Sequence, residues 1–170
     1  EVDCIIFATG FEVGTGYTRR AGYDIVGRGG VTLSDHWARG PRTLHGQMSH
    51  GFPNCFHMGV NQNTLTPNFP HLLDEQAHHV AHIVAEANQR HATVVEPTAE
   101  AEAAWVQTIV DTARLNLEFR QACTPGYYNG EGRAGADDGL FAGLYGPGPV
   151  KFFELIGEWR EGGMEGLSLN

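Results

Sequence analysis

The spacing of apolar and polar positions changes several times along the chain, and each change predicts an element. Val2-Asp3-Cys4-Ile5-Ile6-Phe7-Ala8 is a near-continuous apolar run, the pattern of a strand buried on both faces of a parallel sheet. Cys55-Phe56-His57-Met58-Gly59-Val60, after the turn Gly51-Phe52-Pro53-Asn54, reads as a second short buried strand. The period then becomes helical: Leu73, Ala77, Val80, Ala81, Val84 and Ala87 share one stripe, with Glu75, His79, His82, Glu86 and Gln89 opposite. This predicts a helix from Pro70 to Arg90 with Asn68 as a nearby cap. A second helix follows Pro97-Thr98, with Trp105, Ile109 and Ala113 beside Val106, Val110 and Leu117 as its apolar stripe. Its first turn carries Glu100 and Glu102, which favour the positive end of a helix dipole. Pro149 opens a third helix with Phe152, Phe153, Ile156 and Trp159 inward and Gly162-Gly163 as its stop. Leu167-Ser168-Leu169 fits a closing strand.

The stretch from Gly14 to Gly30 reads as an irregular connection, and Cys123 to Gly148, rich in Gly, Pro and Tyr, as a long loop wrapped over something. A strand with the pattern of residues 2–8 cannot stand alone, so its neighbours are expected from sequence upstream of residue 1. The chain therefore reads as a fragment.

With 170 residues the chain suits one domain with a real core. Its net charge is −9, and ten of its eleven basic residues are Arg, scattered so that only Arg19 and Arg20 adjoin. Nucleic-acid binding needs clustered positive charge, so that partner class is excluded. No run of about eighteen apolar residues and no export signal is present, which argues against a membrane and for a cytoplasmic setting. Cys4, Cys55 and Cys123 are an odd number without CxxC spacing, as expected of free thiols in a reducing compartment.

Several apparent sites fail on their context. Gly130-Glu131-Gly132-Arg133-Ala134-Gly135 fits GxGxxG, yet no strand precedes it, and Asp137-Asp138-Gly139 stands where a helix should begin. His78 and His82, with Asp74 one turn earlier, share a helix face without a convincing third ligand, so no metal is expected. Ser34-Asp35-His36 and Ser49-His50 are sequence neighbours, whereas a nucleophilic triad assembles from distant segments.

The informative run is Asp3 to Phe11. A buried strand ending in Ala8-Thr9-Gly10 lets the backbone approach a ligand at the carboxyl edge of a parallel sheet. It resembles the ATG motif of two-dinucleotide-domain flavoproteins, which joins the NADPH domain back to the FAD domain. Gly27-Arg28-Gly29-Gly30, Leu33-Ser34-Asp35-His36-Trp37 and His50-Gly51-Phe52-Pro53-Asn54-Cys55-Phe56 follow in an order similar to that of Baeyer–Villiger monooxygenases. Asn61-Gln62-Asn63-Thr64 leading to Glu75-Gln76 resembles their flavin-side segment. Cys123-Thr124-Pro125-Gly126-Tyr127-Tyr128-Asn129 and Tyr145-Gly146-Pro147-Gly148-Pro149 through Trp159 resemble their tail.

The resemblance implies an α/β fold: the C-terminal fragment of a two-dinucleotide-binding-domain flavoprotein, with parallel-sheet strands, helices and a loop-rich tail. Residues 1–96 would end the NADPH domain and complete the FAD domain, and 97–170 would form a helical extension on the same body. FAD and NADP are the implied cofactors, both needing the region upstream. The implied partners are that upstream part of the polypeptide and a small ketone, converted by insertion of one oxygen atom into an ester or lactone. The implied cofactor-binding residues are Thr9, Gly10 and Phe11 at the strand edge and Asn61, Gln62, Thr66 and Asn68 in the loop before the first long helix. That helix aims its N-terminus at the loop, and its dipole favours the anionic edge of a reduced flavin. Tyr127, Tyr128 and Asn129 are candidate lid residues. The family often presents a Trp toward NADP in this loop, where this chain has Thr124, Pro125 and the paired tyrosines. The catalytic arginine and both glycine fingerprints belong upstream, so no catalytic residue is assigned here. An N- or S-oxygenating flavin monooxygenase, a flavin reductase and a non-enzymatic fragment remain as alternatives, although a reductase would usually carry paired redox cysteines.

Overall fold

The structure, a computed structural model, describes residues 2–8, 17–113 and 143–170. Thr9, Gly10, Phe11, Cys123, Tyr127, Tyr128, Asn129 and the glycine run at 130–135 lie outside the described residues. In chain order come α1 (Tyr17–Ala21), a 3-10 turn (Arg28–Gly30), α2 (Leu33–His36), α3 (Phe69–Gln89), β1 (Val95–Pro97), α4 (Ala99–Thr112), α5 (Pro149–Glu161) and β2 (Leu167–Leu169). Among the described residues no helix is long and apolar enough to cross a membrane.

The three long helices start where local chemistry dictates. Asn68 Oδ1 accepts the His71 N–H at the head of α3, and Pro70 sits in its first turn. Thr98 Oγ1 accepts the Ala101 N–H and starts α4. Pro149 opens α5, which Gly162 and Gly163 end. The closing strand is also present, with β2 antiparallel to β1 and Val95 opposite Leu169. On the other side of β1, Asn54 imitates a strand: its amide donates to the Thr93 carbonyl and its Oδ1 accepts the Val95 N–H.

Three expectations need correction. Residues 2–8 form no strand, and Ile6 and Phe7 are 85% and 84% exposed. Cys55 to Val60 is not a strand either, and Met58 is half exposed. Its backbone bonds elsewhere, His57 N–H to the Gln47 carbonyl and Gly59 N–H to the Gln76 side chain. Both runs have the composition of a buried strand, but pairing needs a neighbouring strand, and the sheet among the described residues is the β1–β2 pair. The third correction concerns α3, whose buried positions are Leu72, Gln76, His79, Ile83 and Ala87. The apolar row Ala77, Ala81 and Val84 faces outward, and His79, expected on the solvated side, is fully buried.

Burial of α3 against α5 and α4 explains that choice of face. Ile83 and Ala87, Trp105 and Ile109, and Phe152 and Ile156 form one core with Leu44, Met48, Val95 and Met164. Each fully buried large side chain contributes about 1.5–3 kcal/mol. This core draws residues from both sides of position 96.

Two buried carboxylates organise the irregular segment before α3. Glu102, 2% exposed, accepts from Arg42 Nε at 3.1 Å and the His50 N–H at 2.8 Å, with His36 Nε2 at 2.9 Å. Glu96 accepts from Arg28 Nε at 2.9 Å and the Gly51 N–H at 2.7 Å. Glu102 therefore does more than complement a helix dipole. Removing one partner of a buried, hydrogen-bonded ion pair strands the others. Glu102→Leu is expected to cost roughly 3–5 kcal/mol, whereas exposed Glu100→Leu should stay within about 0.5 kcal/mol. Urea unfolding of the two variants checks the contrast.

A second polar cluster lies inside the helices. His45 and His79 face each other with ring centroids 5.8 Å apart, and both pack on Trp159. Arg160 Nη1 lies 3.3 Å from His79 Nδ1. Burial pushes both imidazoles down to about 3, and for His79 the charges of His45, Arg160 and His82 add to this. Burial also lowers His57, to about 4. These groups bind protons on unfolding but not in the fold. Their stabilisation is thus fully present above about pH 6.5 and declines as pH falls toward the folded values. Each such histidine is expected to shift the folding equilibrium about tenfold per pH unit across that window. Melting temperatures from pH 7 to 4.5 should fall steeply, and replacing His45 and His79 together by Leu should flatten the decline.

Candidate functional site

The loop joining residue 59 to α3 is held from within by four parts of the fold. Gln76 of α3 clasps Gly59, its Oε1 accepting the Gly59 N–H at 2.9 Å and its Nε2 donating to the Gly59 carbonyl at 2.8 Å. Asn63 Nδ2 donates to the same carbonyl at 2.8 Å, and Asn63 Oδ1 accepts the Asn61 N–H at 3.3 Å. Thr43 Oγ1 donates to Gln62 Oε1 at 2.7 Å and in turn accepts the Gly46 N–H. From α4, Trp105 Nε1 donates to the Gln62 carbonyl at 2.8 Å, and the Tyr145 N–H donates to the Asn63 carbonyl at 2.7 Å. Gln62 adopts φ 48°, an uncommon left-handed conformation for a residue with a side chain.

The loop brings together the four residues singled out in it from sequence, but gives them different tasks. Asn68 caps α3, and Thr66 Oγ1 donates to the Asn68 carbonyl. Gln62 is buried with its Oε1 engaged by Thr43. Asn61 stays partly exposed, its backbone N–H held by Asn63. The residue that stands out is Thr64, read in the sequence only as part of a motif. It is 2% exposed, yet neither it nor Leu65 hydrogen-bonds any described residue through backbone or side chain. The Thr64 hydroxyl is not one of the buried side-chain atoms left without a partner, so the unbonded N–H groups of Thr64 and Leu65, four and three residues before the Asn68 cap of α3, are what make this loop a candidate for a polar ligand. No residue-type signal distinguishes Thr64 in the sequence, because the absence of partners is a property of the surroundings.

Other groupings do not carry chemistry. Ser49 Oγ lies 3.4 Å from His57 Nε2, but its hydroxyl donates to the Arg42 carbonyl at 2.7 Å and burial leaves His57 a weak base. The Asp74–His78 pair is exposed at 3.9 Å, and no group of three or more metal-donor side chains occurs among the described residues. A surface cavity of about 500 Å³ lined by His36, Arg39, Arg42 and Val106, among others, shares no residue with the loop.

Close approach of a second segment sets the loop's position. Gly46, at φ 78°, sits so near that an added Cβ would lie 2.1 Å from the Asn61 carbonyl oxygen. Gly30 has the same φ and open space around it. Gly30→Ala is therefore expected to cost about 1–2 kcal/mol of left-handed strain alone. Gly46→Ala should cost at least about 2 kcal/mol more through the collision, a difference that parallel chemical denaturation would measure.

No protein-family model matches the chain. The sequence is 48% identical over 171 residues to pentalenolactone D synthase of Streptomyces arenae, covering 99% of this chain and 29% of that protein. It is 48% identical over 167 residues to a Baeyer–Villiger monooxygenase of Streptomyces coelicolor, covering 98% of this chain and 27% of the relative. An FAD-binding monooxygenase of Hypomyces subiculosus is 37% identical over 168 residues, 98% of this chain and 28% of its own length. The chain thus spans less than a third of the curated relatives it matches. Among solved structures, a polycyclic ketone monooxygenase of Thermothelomyces thermophila superposes with a TM-score of 0.78 at 34% identity, over 90% of this chain and 25% of that one. Cyclohexanone monooxygenase of Rhodococcus sp. Phi1 bound to NADP+ gives 0.77 at 29% identity, over 96% of this chain and 29% of that one. By sequence over nearly its whole length, and by fold, the chain is similar to the C-terminal part of Baeyer–Villiger monooxygenases.

Proposed function

We propose that this chain is the flavin-facing C-terminal part of an NADPH- and FAD-dependent monooxygenase that inserts one oxygen atom beside a ketone carbonyl to form an ester or lactone. An N-terminal region with the glycine fingerprints would complete the enzyme. In this reading residues 1–96 finish the dinucleotide-binding body and 97–170 form an extension upon it. The observation that carries the proposal is buried, unbonded Thr64 ahead of α3, in a chain whose relatives are ketone- and FAD-handling monooxygenases.

The donor set fits the polar edge of a flavin ring. Thr64 would offer its hydroxyl and N–H, Leu65 its N–H, and partly exposed Asn61 its amide. The positive end of the α3 dipole favours negative charge at this place. When bound, FAD would supply the two-electron redox chemistry with NADPH and oxygen. The chain's own work would be to hold that edge in fixed geometry, supported by the hydrogen bonds of Gly59, Asn61, Gln62 and Asn63. Thr9, Gly10 and Phe11 would line the cofactor, and Tyr127, Tyr128 and Asn129 would lie over the bound nicotinamide nucleotide. No described residue is assigned a catalytic proton transfer.

Full-length protein carrying this segment is expected to consume NADPH with a cyclic ketone and release the lactone, one product per NADPH, read by mass spectrometry. A sulfoxide or N-oxide from sulfide or amine substrates, without lactone, would favour the heteroatom-oxygenating alternative. Thr64→Val should weaken FAD binding about fivefold, the loss of one net hydrogen bond. Unaltered FAD affinity and an unaltered flavin spectrum in that variant would remove Thr64 from the site.

A further inference from the structure

Trp105 lies on α4, outside the loop ahead of α3, and its ring is almost wholly buried in the core. Burial alone would explain any large apolar residue there. The indole adds something a hydrocarbon cannot: its Nε1 donates to the carbonyl of Gln62 at 2.8 Å, across 43 residues of sequence. Gln62 is the loop residue in the left-handed region, and such a conformation persists only when its surroundings over-determine it. The same indole stacks on Tyr145, centroids 5.6 Å apart at 22°, and Tyr145 donates its own N–H to the next carbonyl of the loop, that of Asn63. His45 meets the Trp105 ring edge-on at 4.9 Å.

Two consecutive carbonyls of the loop are thus drawn inward by one stacked aromatic pair. A peptide unit whose carbonyl points inward turns the N–H of the following residue the other way. The Asn63 carbonyl, held by Tyr145, belongs to the same peptide unit as the unbonded Thr64 N–H.

We propose that Trp105 and Tyr145 form a brace that positions the Gln62–Thr64 peptides so that the Thr64 donors face the cofactor. Trp105 is a positioning residue in this arrangement and touches no reacting atom. The proposal rests on the reading of residues 61–66 as the flavin-facing loop. It also links the two ends of the 113–143 stretch to that loop, because Thr112 Oγ1 accepts the Gly146 N–H one residue beyond Tyr145.

The test uses full-length protein and separates the brace from the site. Trp105→Phe keeps a stacking ring and removes the N–H. Replacement of Trp105 by 3-benzothienylalanine keeps the indole shape as well, and serves if the Phe variant folds poorly. In the apoprotein, amide exchange at residues 62–65 is expected to speed up about fivefold, as befits one lost hydrogen bond, while the α3–α5 core exchanges as before. FAD affinity should fall about fivefold with a shifted visible circular dichroism of the bound flavin. Thr64→Val is run in parallel. If it perturbs the flavin and both Trp105 replacements leave exchange and flavin signals unchanged, the brace is wrong and the site stands. If the Trp105 replacements speed exchange at 62–65 while no variant perturbs the flavin, the brace as a cofactor-positioning device is overturned together with the flavin-facing reading. Faster exchange with a shifted flavin signal in the isosteric variant supports it.

Discussion

A carboxylate taken out of water must be surrounded by donors, and Glu102 imposes that requirement on the segment from residue 36 to 50. Its desolvation is offset only if several groups converge on it. They come from His36, Arg42 and the His50 backbone, which are otherwise joined by chain with little regular structure. Glu96 repeats the arrangement with Arg28 and Gly51. The segment from residue 27 to 51 is therefore ordered largely by contacts to two side chains from the β1–α4 region. The short motifs that carry the family resemblance, Gly27 to Gly30, Leu33 to Trp37 and His50 to Phe56, include most of these donors.

Helix α4 connects that scaffold to the candidate site. Glu102, Trp105 and Ile109 are its buried positions, spaced so that they lie along one face. Glu102 holds the loops, Trp105 reaches the Gln62 carbonyl, and Ile109 anchors the helix in the core. One helix face thus fixes the position of the loop ahead of α3 relative to the segment that packs behind it. The arrangement suits a protein that must present donors to a ligand without letting them relax onto each other.

The core itself is unusually polar on α3. Gln76 and His79 are buried where a helix of this amphipathic pattern would be expected to place apolar groups. Gln76 is justified by its two hydrogen bonds to Gly59, at the start of the loop. His79 packs against His45 and Trp159 beside Arg160, and its Nε2 has no partner among the described residues. These polar contacts select the inward face of α3 over the more apolar row of Ala77, Ala81 and Val84, which faces outward among the described residues.

What the sequence determined by itself is local. The starts of α3, α4 and α5 at Asn68, Thr98 and Pro149, the stop at Gly162-Gly163 and the strand at Leu167–Leu169 were legible because caps, prolines and glycines act within a few residues. The ordered motifs carried the family resemblance in the sequence, and the relatives that match nearly the whole chain agree with it. The position of the loop at residues 61–68 was also legible, as the polar stretch ahead of an amphipathic helix. Tertiary structure decided the rest. The buried face of α3, the fate of residues 2–8 and 55–60, the burial of Glu102 and the isolation of Thr64 all depend on what lies across the fold. The bonds that bury Glu102 and hold Gln62 join residues 43, 52, 60 and 66 positions apart, far beyond the reach of any local pattern.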